Sequence, residues 1–233
     1  MGESGTTDPV PSVRGDMDFT EPVPDIPVYR GPARLCVAVE QRSLLVVAGL
    51  PGAGKSTLLR DVVATSPVAV LDTDQIRARL RTMFPASTPY AWYRPLVHLL
   101  QNLRLVLTAL VAPGPVVVHD PATGGIRRAA FVVLGMVTGR TRHLLWIDCT
   151  VGEALAGQRV RGRVLTSRSF SRHAHNAPRM RARLLAGRMP RGWHTAGLRP
   201  RPDARRGLRV EVAGPGAAAG TGRHPAGRQP RRR

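Results

Sequence analysis

Short, almost wholly apolar runs alternate with longer segments of helical period through the middle of the chain. "SLLVVAG" (43–49), "VAVLD" (68–72), "VVVHD" (116–120) and "HLLWID" (143–148) lack polar alternation, the mark of strands buried on both faces. Helical spacing fills the gaps: "KSTLLRDVVATS" (55–66), "DQIRARLRTMF" (74–84) with Asp74 as its N-cap, and "YRPLVHLLQNLRLVLTALVA" (93–112), starting near Pro95 and stopped by "PGP". "IRRAAFVVLGMV" (126–137) and "VGEALAGQRVRG" (151–162) continue the series. Strands alternating with helices predict an α/β fold, a mainly parallel sheet with both faces covered.

The two ends depart from this pattern. Residues 1–33 are acidic and rich in proline with little to bury, and read as a disordered leader. The ordered domain then spans 34–193. From residue 194 to 233 Arg, Pro, Gly and Ala dominate, only "LRVEV" reads as a strand, and a mostly disordered basic tail is expected. "HTAGLRPRP" carries no strand signal, and the abrupt change suggests a frame-shifted or otherwise altered ending.

Composition sharpens the picture. The 233 residues carry a net charge of +20, distributed as −4 over 1–40, +7 over 41–150 and +17 over 151–233. A basic C-terminal half suits a polyanion such as nucleic acid, although arginine without lysine also follows from a GC-rich coding sequence. The two cysteines, Cys36 and Cys149, form no CxxC, so neither a zinc site nor a disulfide framework is indicated, and a reducing cytoplasm fits. The N-terminus lacks the basic and apolar regions of a signal peptide, and no run approaches the ~18 apolar residues of a membrane span.

One segment carries decisive chemistry. Gly49-Leu50-Pro51-Gly52-Ala53-Gly54-Lys55-Ser56-Thr57 fits G-x-x-x-x-G-K-[ST], with a strand before it and a helix after it. Glycines let backbone N–H groups curl around an anion, and a helix N-terminus adds favourable potential. Lys55 is the only lysine among 35 basic side chains. A compact ammonium on a flexible stem threads into such a loop to reach β- and γ-phosphates, where a planar guanidinium fits poorly. Ser56 then offers a hydroxyl to Mg²⁺. The expectation is a P-loop NTPase, a three-layer α/β/α domain, with ATP and Mg²⁺ as cofactors.

Asp72, Asp120 and Asp148 each close an apolar strand run, and ligands of open parallel sheets bind outside the carboxyl ends of the strands. Asp120 and Asp72 are the candidate Mg²⁺-side carboxylates; all three also suit turns and caps. Asp74 and Arg77 lie one helical turn apart, placed to take a proton from a hydroxyl acceptor and to hold that acceptor, or to form a plain ion pair. Arg127 and Arg128 either approach phosphates or are solvated. Arg159, Arg161 and Arg163 read as a basic lid or as a charged helix end. Tyr90, Trp92 and Tyr93 offer stacking surfaces or packing. The seven histidines show no ligand spacing.

"GLPGAGKST", "LDTDQIRARL", "VVVHDPATGGIRR" and "LLWIDCTVGEALAGQRVRGR" together resemble the P-loop kinase-like AAA domain family, over about residues 43–193. Its relatives include 5′-polynucleotide kinases, zeta-toxin-type kinases and gluconate-type kinases. The resemblance implies that Asp74 is the base, that Arg77 contacts the acceptor phosphate, that Asp120 with Arg127 and Arg128 forms the third element, and that Arg161 and Arg163 are lid arginines. Pro121-Ala122 replaces the small polar pair often found after the strand-end Asp. The leading expectation is a kinase passing the γ-phosphoryl group of ATP to a hydroxyl of a small molecule or a nucleic-acid 5′ end. An ATP-binding regulator or slow ATPase, and an Arg-rich nucleic-acid-binding module, are the alternatives. A GTPase is disfavoured, because N-K-x-D is absent from the sequence. The acceptor and oligomeric state are left open.

Overall fold

The structure is a computed structural model, and it describes residues 34–160 and 167–213. The predicted leader over 1–33, Arg161 and Arg163, and residues 214–233 of the predicted tail lie outside the described residues. Among the described residues, eight strands and six α-helices follow one another: β1 (Leu35–Glu40), β2 (Ser43–Ala48), α1 (Lys55–Leu58), β3 (Val63–Ala64), β4 (Ala69–Leu71), α2 (Thr73–Met83), α3 (Tyr90–Val111), β5 (Val116–His119), α4 (Gly125–Val137), β6 (Thr141–Asp148), α5 (Val151–Val160), α6 (Ser167–Leu185), β7 (Thr195–Pro200) and β8 (Leu208–Ala213). A 3-10 turn, Arg201–Arg206, joins the last two strands.

The main sheet has the order β4-β5-β2-β6-β7, and every pairing in it is parallel. Alternate residues of its apolar strands feed opposite cores. Leu44, Val46, Val118, Leu144 and Trp146 pack with Leu105 of α3, Phe131 of α4 and Met180 of α6. Leu45, Val47, Val117, Leu145 and Ile147 pack with Leu58 of α1 and with β1 and β8. The fold is therefore the expected three-layer α/β/α arrangement. Its second outer layer consists of α1, the 3-10 turn and a small parallel sheet of order β1-β8-β3.

Four local expectations are corrected. First, "TAGLRP" is strand β7, paired in parallel with β6 from His143↔Thr195 to Asp148↔Pro200. Residues 195–213 thus belong to the ordered fold, and the reason to suspect an altered ending over this stretch disappears. Second, the helix behind the glycine-rich loop is a single turn; Arg60 to Val62 turn the chain into β3 instead of extending a helix to Ser66. Third, α3 begins at Tyr90, with Pro95 inside its second turn. Fourth, Asp72, not Asp74, caps α2: its Oδ1 accepts from the Asp74 N–H at 3.0 Å.

Polar ties close the end of the sheet away from the glycine-rich loop. Arg140, 1 % exposed, donates from Nε to the Ala109 carbonyl at 2.7 Å and from Nη1 to that of Gly114 at 2.8 Å, and it also bonds Ala112. It joins the end of α3, the start of β5 and the edge of β6. His143 Nε2 meets Glu40 Oε2 at 2.6 Å, and its Nδ1 meets the Thr195 hydroxyl at 2.7 Å, linking β1, β6 and β7. The hydrogen bond from His143 holds the Glu40 carboxyl down at about 2 from an ordinary 4.5. A carboxylate depressed on folding stabilises the fold above its unfolded pKa, and that contribution fades as pH falls from about 4.5 towards 2. Glu40 is more than half exposed, so the effect is modest. Glu40→Gln should flatten the acid limb of a stability-versus-pH curve in that window and leave the rest parallel. Tryptophan fluorescence during urea unfolding at stepped pH reads the difference.

Candidate active site

β2 is wholly buried and delivers the chain to Gly49 at the carboxyl edge of the sheet. Gly49 has φ 133°, and a Cβ there would lie 2.5 Å from the Ile147 carbonyl oxygen. Gly52, at φ 97°, is tighter: its Cβ would meet the Ala154 oxygen at 2.0 Å. Both the backbone sign and the space demand glycine. The loop is tied on all sides. Gly49 N donates to the Pro121 carbonyl at 3.1 Å, Gln158 Nε2 to that of Pro51 at 3.0 Å, and Ala53 N to that of Leu50 at 3.0 Å.

Lys55 is 3 % exposed, and its Nζ donates to the Gly49 and Leu50 carbonyls, each at 2.8 Å. The one ammonium of the chain therefore lies curled within the loop, held by carbonyl dipoles. Because α1 is a single turn, its macrodipole is small. The attraction for an anion falls chiefly to loop amides and to Lys55.

Three strand ends converge beside this loop. His119, closing β5, places Nδ1 2.9 Å from Asp72 Oδ1 and 3.3 Å from Ser56 Oγ. An ionised carboxylate only accepts, so His119 Nδ1–H donates to Asp72. Local spacing offers no hint of His119, because its two partners, Ser56 and Asp72, lie 63 and 47 residues from it in chain order. Its sole local signal is its place just before the strand-end Asp120. Ser56 and Asp72 supply the hard oxygens that suit Mg²⁺, which keeps several waters and takes substrate phosphates as further ligands. Among the described residues no group of three or more His, Cys, Asp and Glu is gathered, so phosphate oxygens and water would have to complete such a shell.

Asp74 and Arg77 share the first turns of α2, both half-buried. The Arg77 guanidinium lies over the Tyr90 ring, 4.3 Å from its centroid, and Tyr90 meets Tyr93 edge-on. Tyr93 is buried in the cluster of Ile76, Leu80 and Val97, whereas Trp92 stands in solvent. Two of the three aromatic rings thus pack and position Arg77.

Both oxygens of Asp120 accept hydrogen bonds. Its Oδ1 accepts from Ala122 N at 2.8 Å, and its Oδ2 takes Nε and Nη2 of Arg127, both at 2.8 Å. Arg127 also reaches Asn102 at 3.0 Å, and Arg128 Nη1 donates to the Ala122 and Thr123 carbonyls at 2.8 and 2.7 Å. These three side chains brace the 120–124 loop, where Ala122 sits at φ 44°. His173 of α6 reaches the same loop, its Nδ1 2.7 Å from the Thr123 hydroxyl. Burial, and next the charge of Lys55, lower its pKa. Arg159 is exposed on α5. Asp148, at the end of β6, pairs with Arg181 at 2.7 Å. A pocket of about 230 Å³ opens beside the loop, between Gly52, Gly54 and Thr57 on one wall and Gly157, Arg201 and Arg205 on the other.

Sequence comparison agrees with this geometry. The family described as the AAA domain matches residues 44–185. The chain belongs to that AAA domain family. The match runs from β2 to the end of α6 and contains every described side chain of the cluster. No curated protein matches the chain. Among solved structures, one from the PezAT chromosomal toxin–antitoxin system of Streptococcus pneumoniae is 13 % identical, covering 71 % of this chain and 71 % of that one with a TM-score of 0.51. The tunicamycin resistance protein of Deinococcus radiodurans is 18 % identical, with coverages of 66 % and 84 % and a TM-score of 0.38. The APS kinase CysC of Mycobacterium tuberculosis is also 18 % identical, with coverages of 74 % and 89 % and a TM-score of 0.37. Among the described residues of this AAA domain protein, no helix is long and apolar enough to cross a membrane.

Proposed function

We propose that the protein is an ATP- and Mg²⁺-dependent phosphotransferase that moves the γ-phosphoryl group to a hydroxyl acceptor. The observation that carries this reading is the convergence of Lys55, Ser56, Asp72, His119 and Asp74 at one carboxyl edge of the sheet. The loop 49–57 holds the triphosphate, and the pocket by Gly52 and Arg201 receives the base. Ser56 and Asp72 hold Mg²⁺, which neutralises phosphate charge. Asp74 takes the acceptor proton and Arg77 holds the acceptor, its guanidinium steadied on Tyr90. The chemistry needs mainly positioning and electrostatics.

A missing last strand and a loose basic tail would favour the slow-ATPase reading; β7 supplies the strand. Incubation with γ-labelled ATP and pooled sugars, nucleosides and 5′-hydroxyl oligonucleotides should yield a labelled acceptor. Labelled inorganic phosphate alone would overturn the transferase reading.

A further inference from the structure

The outer face of α3 carries an apolar seam with no partner among the described residues. Trp92, Leu96, Leu99, Leu103, Val106 and Leu110 recur at intervals of 4, 3, 4, 3 and 4 residues, and are 37 % to 82 % exposed. The opposite stripe of the same helix, with Tyr93, Val97, Leu105 and Ala109, is the buried one. A mean interval of about 3.6 residues keeps the stripe on one side of a straight helix, the pattern of a face that packs lengthwise on a neighbouring element. α4 lies alongside, joined through the Asn102–Arg127 bond of 3.0 Å. It repeats the pattern outward, with Ile126, Ala130, Val133 and Val137 spaced 4, 3 and 4 apart and all exposed.

Charge selects the occupant. The chain carries +20, so two copies repel over most of their surfaces. The α3–α4 outer face is the exception. The charged residues of the two helices are Arg94, Arg104, Arg127 and Arg128, and all lie off the seams, bonded to His98, Gln75, Asp120 and the Ala122 carbonyl. An acidic or basic partner would find nothing to pair with there, while an identical uncharged face matches it.

Symmetry is satisfied as well. The α3 seam is palindromic about residue 101, so an antiparallel two-fold pairing sets Leu99 against the second copy's position 103, and position 96 against 106. Two helices of 22 and 13 residues, each about 10 Å wide with about 1.5 Å rise per residue, present on the order of 500 Å² a side. The total of about 1,000 Å² stands at the lower limit for a biological interface, below the roughly 1,200–2,000 Å² of stable ones, so the pairing is a dissociable one.

We infer that the protein forms a homodimer through α3 and α4, the four helices making an antiparallel bundle on the face away from β1 and β8. The test is sedimentation velocity of the full chain over a dilution series. The wild type should sediment as two chains. Leu99→Arg and Leu103→Glu should each sediment as one chain with an unchanged thermal transition, and their mixture should recover the dimer. Iodide quenching gives a second readout that needs no variant. Trp146 and Trp193 are buried, so accessible tryptophan reports Trp92 and should increase on dilution as dimers separate. A wild type that is monomeric at every concentration, or a dimer that both substitutions leave intact, overturns the proposal. So does a monomer whose Trp92 becomes accessible only when residues 1–33 are removed, because the leader would then be the occupant.

Discussion

Lys55→Ala should weaken ATP binding by about two to three orders of magnitude while leaving the fold intact, as read by titration calorimetry beside near-ultraviolet circular dichroism. Losing one partner of a buried, hydrogen-bonded charge contact costs about 2–5 kcal/mol, which sets that scale. The ammonium is 3 % exposed and curls within a loop already fixed by Gly49, Gly52 and Gln158, so truncation removes charge without opening the core. Lys55→Arg is the sharper variant. The chain places arginine at every other basic position, so the residue is compatible with this protein in general. At 55 the side chain must pass between the Gly49 and Leu50 carbonyls, each 2.8 Å from a single nitrogen. A planar five-donor fork demands a wider space and should bind ATP nearly as poorly as alanine. Unchanged ATP affinity in Lys55→Ala would remove the phosphate-loop role on which the functional reading stands.

The parts of this protein that could be read from the sequence are those whose signal is local. β2, β5 and β6 sit in the middle of the sheet, buried on both faces, and their unbroken apolar runs follow directly. The glycine-rich loop is equally local, since its turn and its lysine lie within nine residues. β7 is hidden from a sequence reading because it is an edge strand whose buried residues are small. Ala196 and Gly197 are buried by their closeness to β6, not by hydrophobic bulk. The helix after the loop was overestimated because Leu58 and Leu59 keep helical spacing while serving the core from a turn. His119 was invisible for a deeper reason. Its meaning comes from convergence of β4, β5 and the loop, and sheet order is not written in the spacing of any one segment. Asp120, Arg127 and Arg128 show the converse: their local pattern suggests ligand contact and says nothing of the Asp120–Arg127 pair or of the bonds from Arg128 to the 120–124 loop.

That separation between positioning groups and reacting groups makes Asp74→Asn the most informative active-site change. Asp72 already serves as the cap of α2 and the partner of His119, so its replacement would disturb helix, imidazole and the proposed Mg²⁺ site together. Asp74 donates its backbone N–H to the Asp72 cap, and asparagine retains that bond. The substitution therefore deletes a proton acceptor with little change in shape. Phosphoryl transfer should fall by about 10²- to 10⁴-fold, the usual contribution of a positioned general base. ATP affinity should stay near wild type, because the loop 49–57 is untouched. Steady-state transfer rates measured beside equilibrium ATP binding separate the two quantities. Full transfer activity in Asp74→Asn would move the base elsewhere along the same edge. Joint loss of binding and transfer would mean that Asp74 supports the nucleotide site instead of reacting beside it.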